Sequence, residues 1–162
     1  MKMRYSVVAA LFVLLIASFS VPAVADTGFS ATINAAQEVP TNSSTATGSA
    51  ILVLNAAQTS LTISGSYSGL GSTRTAQHIH GPAAPGVNAG VLFPLTATGT
   101  TFGTISGTWA LTATNVTQLL ANLLYINIHT TTFGGGEIRG QILPDATPTK
   151  PSTWGRIKSL YR

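Results

Sequence analysis

The sequence predicts an all-β fold, an antiparallel Greek-key sandwich or barrel with one short helix, and three observations carry that prediction. From Thr27 to Thr112 short β-compatible runs follow one another, rich in Thr, Ser, Gly and Ala, with no helix-period apolar pattern among them. Turn-forming clusters of Gly, Pro, Asn and Ser recur between the runs. Only one passage, Thr114 to Leu124, sets apolar residues at helical spacing. Many short strands with frequent turns fit two packed antiparallel sheets or one closed barrel.

Phe29 to Ile33 alternates and reads as a strand, followed by Glu38-Val39-Pro40 and a Thr-Asn-Ser-Ser loop. Ser49 to Leu54 and Ser60 to Tyr67 are two strands separated by five residues, which is hairpin spacing. The stretch Thr75 to His80 comes next, then a Gly-Pro-rich loop leading to Val91 to Leu95. Pro94 there marks an edge strand or a strand end, because proline has no N–H to donate to a ladder. Phe102 to Thr112 alternates with Ile105, Trp109 and Leu111 on its apolar side, so Trp109 is expected in the core. The helical passage carries Val116, Leu119, Leu120 and Leu123 on one face and is expected to close one end of a barrel. Leu124 to His129 and Glu137 to Leu143 are the last strands, joined through a Gly134-Gly135-Gly136 turn.

The ends of the 162-residue chain read differently from this body. A basic start, an apolar run from Tyr5 to Ser20 and a small-residue pattern up to Ala25 form a secretory signal peptide, with cleavage expected after Ala25. The domain is expected over 26–144, and the protein is expected to be secreted, periplasmic or at the cell surface. Residues 145–162 read as a Pro/Thr linker and a cationic tail suited to a membrane surface or a sorting receptor. Between Asp26 and Asp145 two arginines stand against four carboxylates, so the body is slightly acidic and presents no nucleic-acid footprint. The chain has no cysteine, so stability must come from a core of Ile, Leu, Val and Ala without disulfides.

Chemistry concentrates at the histidines. On an extended strand His78 and His80 point to one side and Ile79 to the other, which is metal-ligand spacing. In Tyr125-Ile126-Asn127-Ile128-His129-Thr130, Ile126 and Ile128 share one face while Asn127 and His129 share the other. If the isoleucines line the core and the strands are neighbours, His78, His80 and His129 meet outside the barrel. Three neutral imidazoles suit zinc or copper and leave a coordination position open; the alternative is a set of hydrogen-bonded structural histidines. Glu137 and Arg139 face one way on their strand. Glu137 is read as a hydrogen-bond partner for a histidine and Arg139 as an anion contact, or else Arg139 pairs with Glu38 across strands, which is the favoured reading. Asn127 could serve either purpose. No nucleophile triad, paired-carboxylate site or phosphate loop is visible.

Taken together, His78-Ile79-His80-Gly81-Pro82, Tyr125-Ile126-Asn127-Ile128-His129-Thr130 and Gly136-Glu137-Ile138-Arg139-Gly140-Gln141-Ile142 resemble the chordin-type, or CHRD, domain family. Gln37-Glu38-Val39-Pro40 and Ala46-Thr47-Gly48-Ser49-Ala50 add to the resemblance, which spans about Phe29 to Leu143. The family is known from secreted bacterial proteins and from an animal antagonist of bone morphogenetic proteins, and it implies no particular reaction. It is in turn similar to the copper/zinc superoxide dismutases, which implies an immunoglobulin-like or superoxide-dismutase-like Greek key. That similarity puts His78, His80 and His129 at three copper-ligand positions and likens Arg139 to an anion-guiding arginine. The sequence departs from those enzymes in having no fourth histidine, no zinc-ligand cluster and no disulfide.

Two functions of different class follow. The first is an exported, non-enzymatic binding or structural module, a monomer that meets an extracellular protein or an envelope component through a histidine-bearing polar face. The second is a mononuclear copper or zinc protein with superoxide-related redox activity.

Overall fold

Alternation of apolar and hydroxyl-bearing residues builds the first strands of the computed structural model, which describes residues 25–145. The expected signal peptide, apart from Ala25, and the linker and tail expected over 145–162, apart from Asp145, lie outside the described residues. In β1 (Thr27–Asn34) Phe29, Ala31 and Ile33 are buried while Ser30 and Thr32 are exposed. A single 3₁₀ turn, Ala35–Gln37, ends that strand. The pattern repeats in β2 (Thr47–Leu54) with Ala50, Leu52 and Leu54, and in β3 (Ser60–Ser68) with Leu61, Ile63 and Tyr67. Because side chains alternate strictly along a strand, these inward residues of neighbouring strands form one continuous core.

β4 (Arg74–His80) pairs with β5 (Val91–Pro94), after which the chain changes partners. The Leu95 N–H still bonds Gln77 O on β4, but β6 (Thr96–Ala97) pairs with β7 (Gly103–Ala110). The strand ends at Pro94, as its missing N–H demands, and the hand-over joins the two ends of the sheet. Inside the join, Phe93 stacks on Trp109 with ring centroids 5.3 Å apart. A Cβ at Gly107 would stand 2.9 Å from Phe93, so the glycine makes room for the ring.

After β7, Thr112 caps α1 (Ala113–Leu120), its hydroxyl accepting the Asn115 N–H while the Asn115 side chain accepts the Thr112 N–H. The helix is shorter than its apolar spacing suggests and buries Val116 and Leu119. It carries the chain to β8 (Tyr125–Thr130), which lies beside β4. β9 (Ile138–Gln141) follows on the far side of β8, and β10 (Leu143–Pro144) makes a short pairing with β1.

All pairings are antiparallel, in the order β5-β4-β8-β9-β1-β2-β3-β7-β6, so the sheet curls into a nearly closed barrel. β4, the β5–β6 segment and β7 are consecutive neighbours, and β8 returns through α1 to the free side of β4. That is a Greek key. The expected all-β barrel with one short helix is therefore the observed fold. No helix of the described residues is long and apolar enough to cross a membrane.

Candidate metal centre

β4 and β8 are neighbours, with His80 opposite Tyr125, His78 opposite Asn127, and Ala76 opposite His129. Ile79, Ile126 and Ile128 are fully buried in the core. Alternation therefore sends all three histidines to the outer face. There, one ligand atom from each lies within 4.8 Å of the other two. The ring centroids stand 5.5 Å apart for His78–His80, 5.2 Å for His78–His129 and 5.5 Å for His80–His129. His80 is buried and the other two are partly so.

Backbone carbonyls fix the tautomers of two of the rings. His80 Nδ1 lies 3.0 Å from Ala89 O, and His129 Nδ1 lies 3.1 Å from Gly134 O. A carbonyl only accepts, so each Nδ1 carries the hydrogen and, in the neutral ring, each Nε2 is a bare lone pair. These two Nε2 atoms face one another at 3.4 Å. Two lone pairs at that distance repel unless a cation sits between them. A proton is disfavoured, because burial first, and the neighbouring histidines as well, hold the pKa of His80 and His129 below the ordinary histidine value; Arg139 adds to this at His80. A metal ion fits, since nitrogens bound at about 2.0–2.1 Å to a tetrahedral zinc stand about 3.3–3.4 Å apart. The third ring offers a free donor as well, because His78 Nδ1 is buried without a partner.

A layer of aromatic and charged groups supports His80. Tyr125 stacks on its imidazole, centroids 5.1 Å apart and planes 11° from parallel, and its hydroxyl accepts the Ala89 N–H. The guanidinium of Arg139 lies 3.5 Å from the Tyr125 ring centroid. Arg139 is 1% exposed and donates to Asn88 Oδ1 and Gln141 Oε1, both at 3.4 Å. Its side-chain hydrogen bonds thus go to amides; the expected pairing with Glu38 is through-space attraction without a hydrogen bond between the two side chains. Burial pushes the Glu38 carboxyl up to about 7 against that attraction. Glu38 Oε1 and Asn127 Oδ1 are both buried without a partner, while Asn127 Nδ2 donates to Gly135 O. A Cβ at Gly136, whose φ is +136°, would stand 2.5 Å from the Asn127 amide and from Glu38 Oε1, so these groups crowd one spot that only glycine leaves open.

Glu137 is placed elsewhere, and its reading as a partner of a histidine is corrected. It precedes β9 at the end of the barrel and is fully buried. Its carboxylate accepts the Ser44 hydroxyl at 2.7 Å, the Gly71 N–H at 2.7 Å and the Thr130 hydroxyl at 2.7 Å. Those bonds pin three separate segments and none goes to an imidazole. The reason is the irregular Gly-rich turn before it, which breaks the alternation that would have aimed Glu137 beside Arg139.

Four participants escaped the sequence reading. Tyr125 and Gln141 have the parity of His129 and Arg139, so the rule that found the histidines reaches them too. The Ala89 and Gly134 carbonyls have no such signal, because they sit in loops whose path the strands do not dictate. Among known proteins, no curated sequence matches the chain. The family model for the CHRD domain matches residues 29–142, which takes in both histidine strands, Glu38 and Arg139. The chain belongs to the CHRD domain family.

Proposed function

We propose that this exported domain is a binding module that holds one transition-metal ion, zinc or copper, on His78, His80 and His129. The single observation that carries the reading is the pair of Nε2 atoms facing each other at 3.4 Å with both Nδ1 atoms committed to carbonyls. Hydrogen-bonded structural histidines have no reason to bring two lone pairs together. Three imidazoles leave a fourth position for water or a small anion, and the Ala89 and Gly134 carbonyls hold the rings in place before any metal arrives. The ion supplies Lewis acidity when bound, and in the case of copper a one-electron couple.

The test is titration of metal-free full-length protein with Zn²⁺ and Cu²⁺ by calorimetry, with metal content of the product. One ion per chain is expected, with affinity falling at least about tenfold in His129→Ala, in line with the loss of one ligand. Absence of stoichiometric binding, or binding indifferent to His129→Ala and His78→Ala, sinks the reading. Superoxide consumption by the copper-loaded protein separates a redox centre from a module that only holds the ion.

A further inference from the structure

On the other side of the barrel a groove crosses the outer face of β2, β3 and β7, independent of the histidines. It measures about 520 Å³ and is lined by Thr47, Ser49, Ser66, Ser68 and Thr104, with Phe102 at its end. All six side chains are exposed, and Phe102, at 70%, is the most exposed large apolar residue among those described. Register puts Ser49, Ser66 and Thr104 in one row across three strands, with Thr47 and Ser68 in the next. Each hydroxyl can both donate and accept. No residue of β1, β2, β3 or β7 is charged, and the guanidinium of Arg74 beside the Phe102 loop is already committed to the Tyr67 hydroxyl, Gln77 Oε1 and Gly99 O.

Phe102 is held out, not left loose. Its loop runs from Thr98 to Thr104 and is closed by Thr98 N–H to Thr104 O at 3.0 Å and by the two threonine hydroxyls at 2.9 Å. From outside, Leu70 N–H bonds Thr101 O, Arg74 N–H bonds Thr100 O, and the Tyr67 hydroxyl donates to Thr98 O. A rigid loop presenting a bare ring loses little freedom when a partner binds.

We propose that this groove binds a neutral oligosaccharide chain. A pyranose matches both halves of it. The C–H face of the sugar is drawn to the negative face of the Phe102 ring, and its hydroxyls exchange hydrogen bonds with the serine and threonine rows. A second copy of the chain is a poorer fit, since the exposed aliphatics of this face, Ile51 and Val53, are flanked on the neighbouring strands by Ser30, Ser64, Gly28 and Thr62 and not by further large apolar residues.

The experiment is calorimetric and saturation-transfer NMR titration of the full-length protein with cellohexaose, laminarihexaose and maltohexaose, beside polygalacturonate as an anionic probe. At least one neutral hexasaccharide is expected to bind and polygalacturonate to bind more weakly. Phe102→Ala is expected to weaken the neutral interaction about tenfold, the factor that ~1.4 kcal/mol of lost aromatic contact gives. His129→Ala is expected to leave it unchanged. The proposal is overturned if none of the three sugars binds, if Phe102→Ala binds as well as wild type, or if the polyanion binds best. It is also overturned if sedimentation shows a dimer that Phe102→Ala dissolves.

Discussion

The two halves of the barrel grow from the same alternation and finish in opposite ways. Across β1, β2, β3 and β7 the outward residues are mostly Ser, Thr and a few aliphatics, and most stay exposed. Across β4, β8 and β9 they are His, Tyr, Asn, Arg and Gln, and most are buried. The cover comes mainly from two loops, with the 131–136 turn lying against Asn127 and His129. Residues 81–90 are tied down through Ala83, Asn88 and Ala89, and residues 35–46 through Gln37, Asn42 and Ser44. A strand pattern therefore decides which face a side chain takes, while the loops decide whether that face is dry. Only the dry half acquires displaced histidine and glutamate equilibria, because burial is the leading cause of each.

The sharpest way to break this contrast is to remove the staple of the covered half. Glu137→Ala leaves the Ser44 hydroxyl, Gly71 N–H and Thr130 hydroxyl without their acceptor. Hydrogen bonds to a buried charged group are worth about 1.5–3 kcal/mol each and do not add fully, so a loss of about 4 kcal/mol in urea unfolding is expected. A loss below ~1 kcal/mol would mean that the covering loops are held by something else.

That residue also marks the limit of what the sequence could say. The barrel, the core isoleucines and the meeting of three histidines follow from period-two alternation along β4 and β8, which needs no knowledge of loops. The switch of partners at Pro94 was half legible, since the missing N–H predicts an ending but not where the chain goes next. The positions of Glu137 and of the Ala89 and Gly134 carbonyls are not legible in the same way, because they depend on how irregular segments fold over a finished sheet. Alternation does not propagate through a Gly-rich turn.

A somewhat smaller effect is expected from Glu38. Its folded pKa, about 7, stands above the ordinary value of 4.5, so the folded state holds more protons between those values and stability falls as the pH rises. The contribution is fully present below the unfolded value and is lost as the pH rises from there through about 7. Comparing the stability of wild type and Glu38→Gln from pH 4 to 8 isolates this group. The variant is expected to become the more stable one toward pH 8, by on the order of 3 kcal/mol relative to their difference at pH 4. Parallel curves would show that the carboxyl titrates alike in the folded and unfolded chain, which would overturn the shift.

On the open half a substitution should change stability least. Ser64 lies exposed on β3 between Ile51 and Ser106 and makes no side-chain hydrogen bond to either. Ser64→Lys puts a charge where these four strands carry none. If the charge-free face is not required for folding, unfolding free energy should stay within about 0.5 kcal/mol of wild type, as for an ordinary surface site. A lysine there also discourages strand-to-strand aggregation, so folding alone gives a reason for charge on this face and none for its absence. A stable Ser64→Lys would then make the uncharged hydroxyl rows a property that something other than stability maintains. A loss above ~1.5 kcal/mol would instead make the neutral face a demand of the fold and remove that support from the sugar-binding groove.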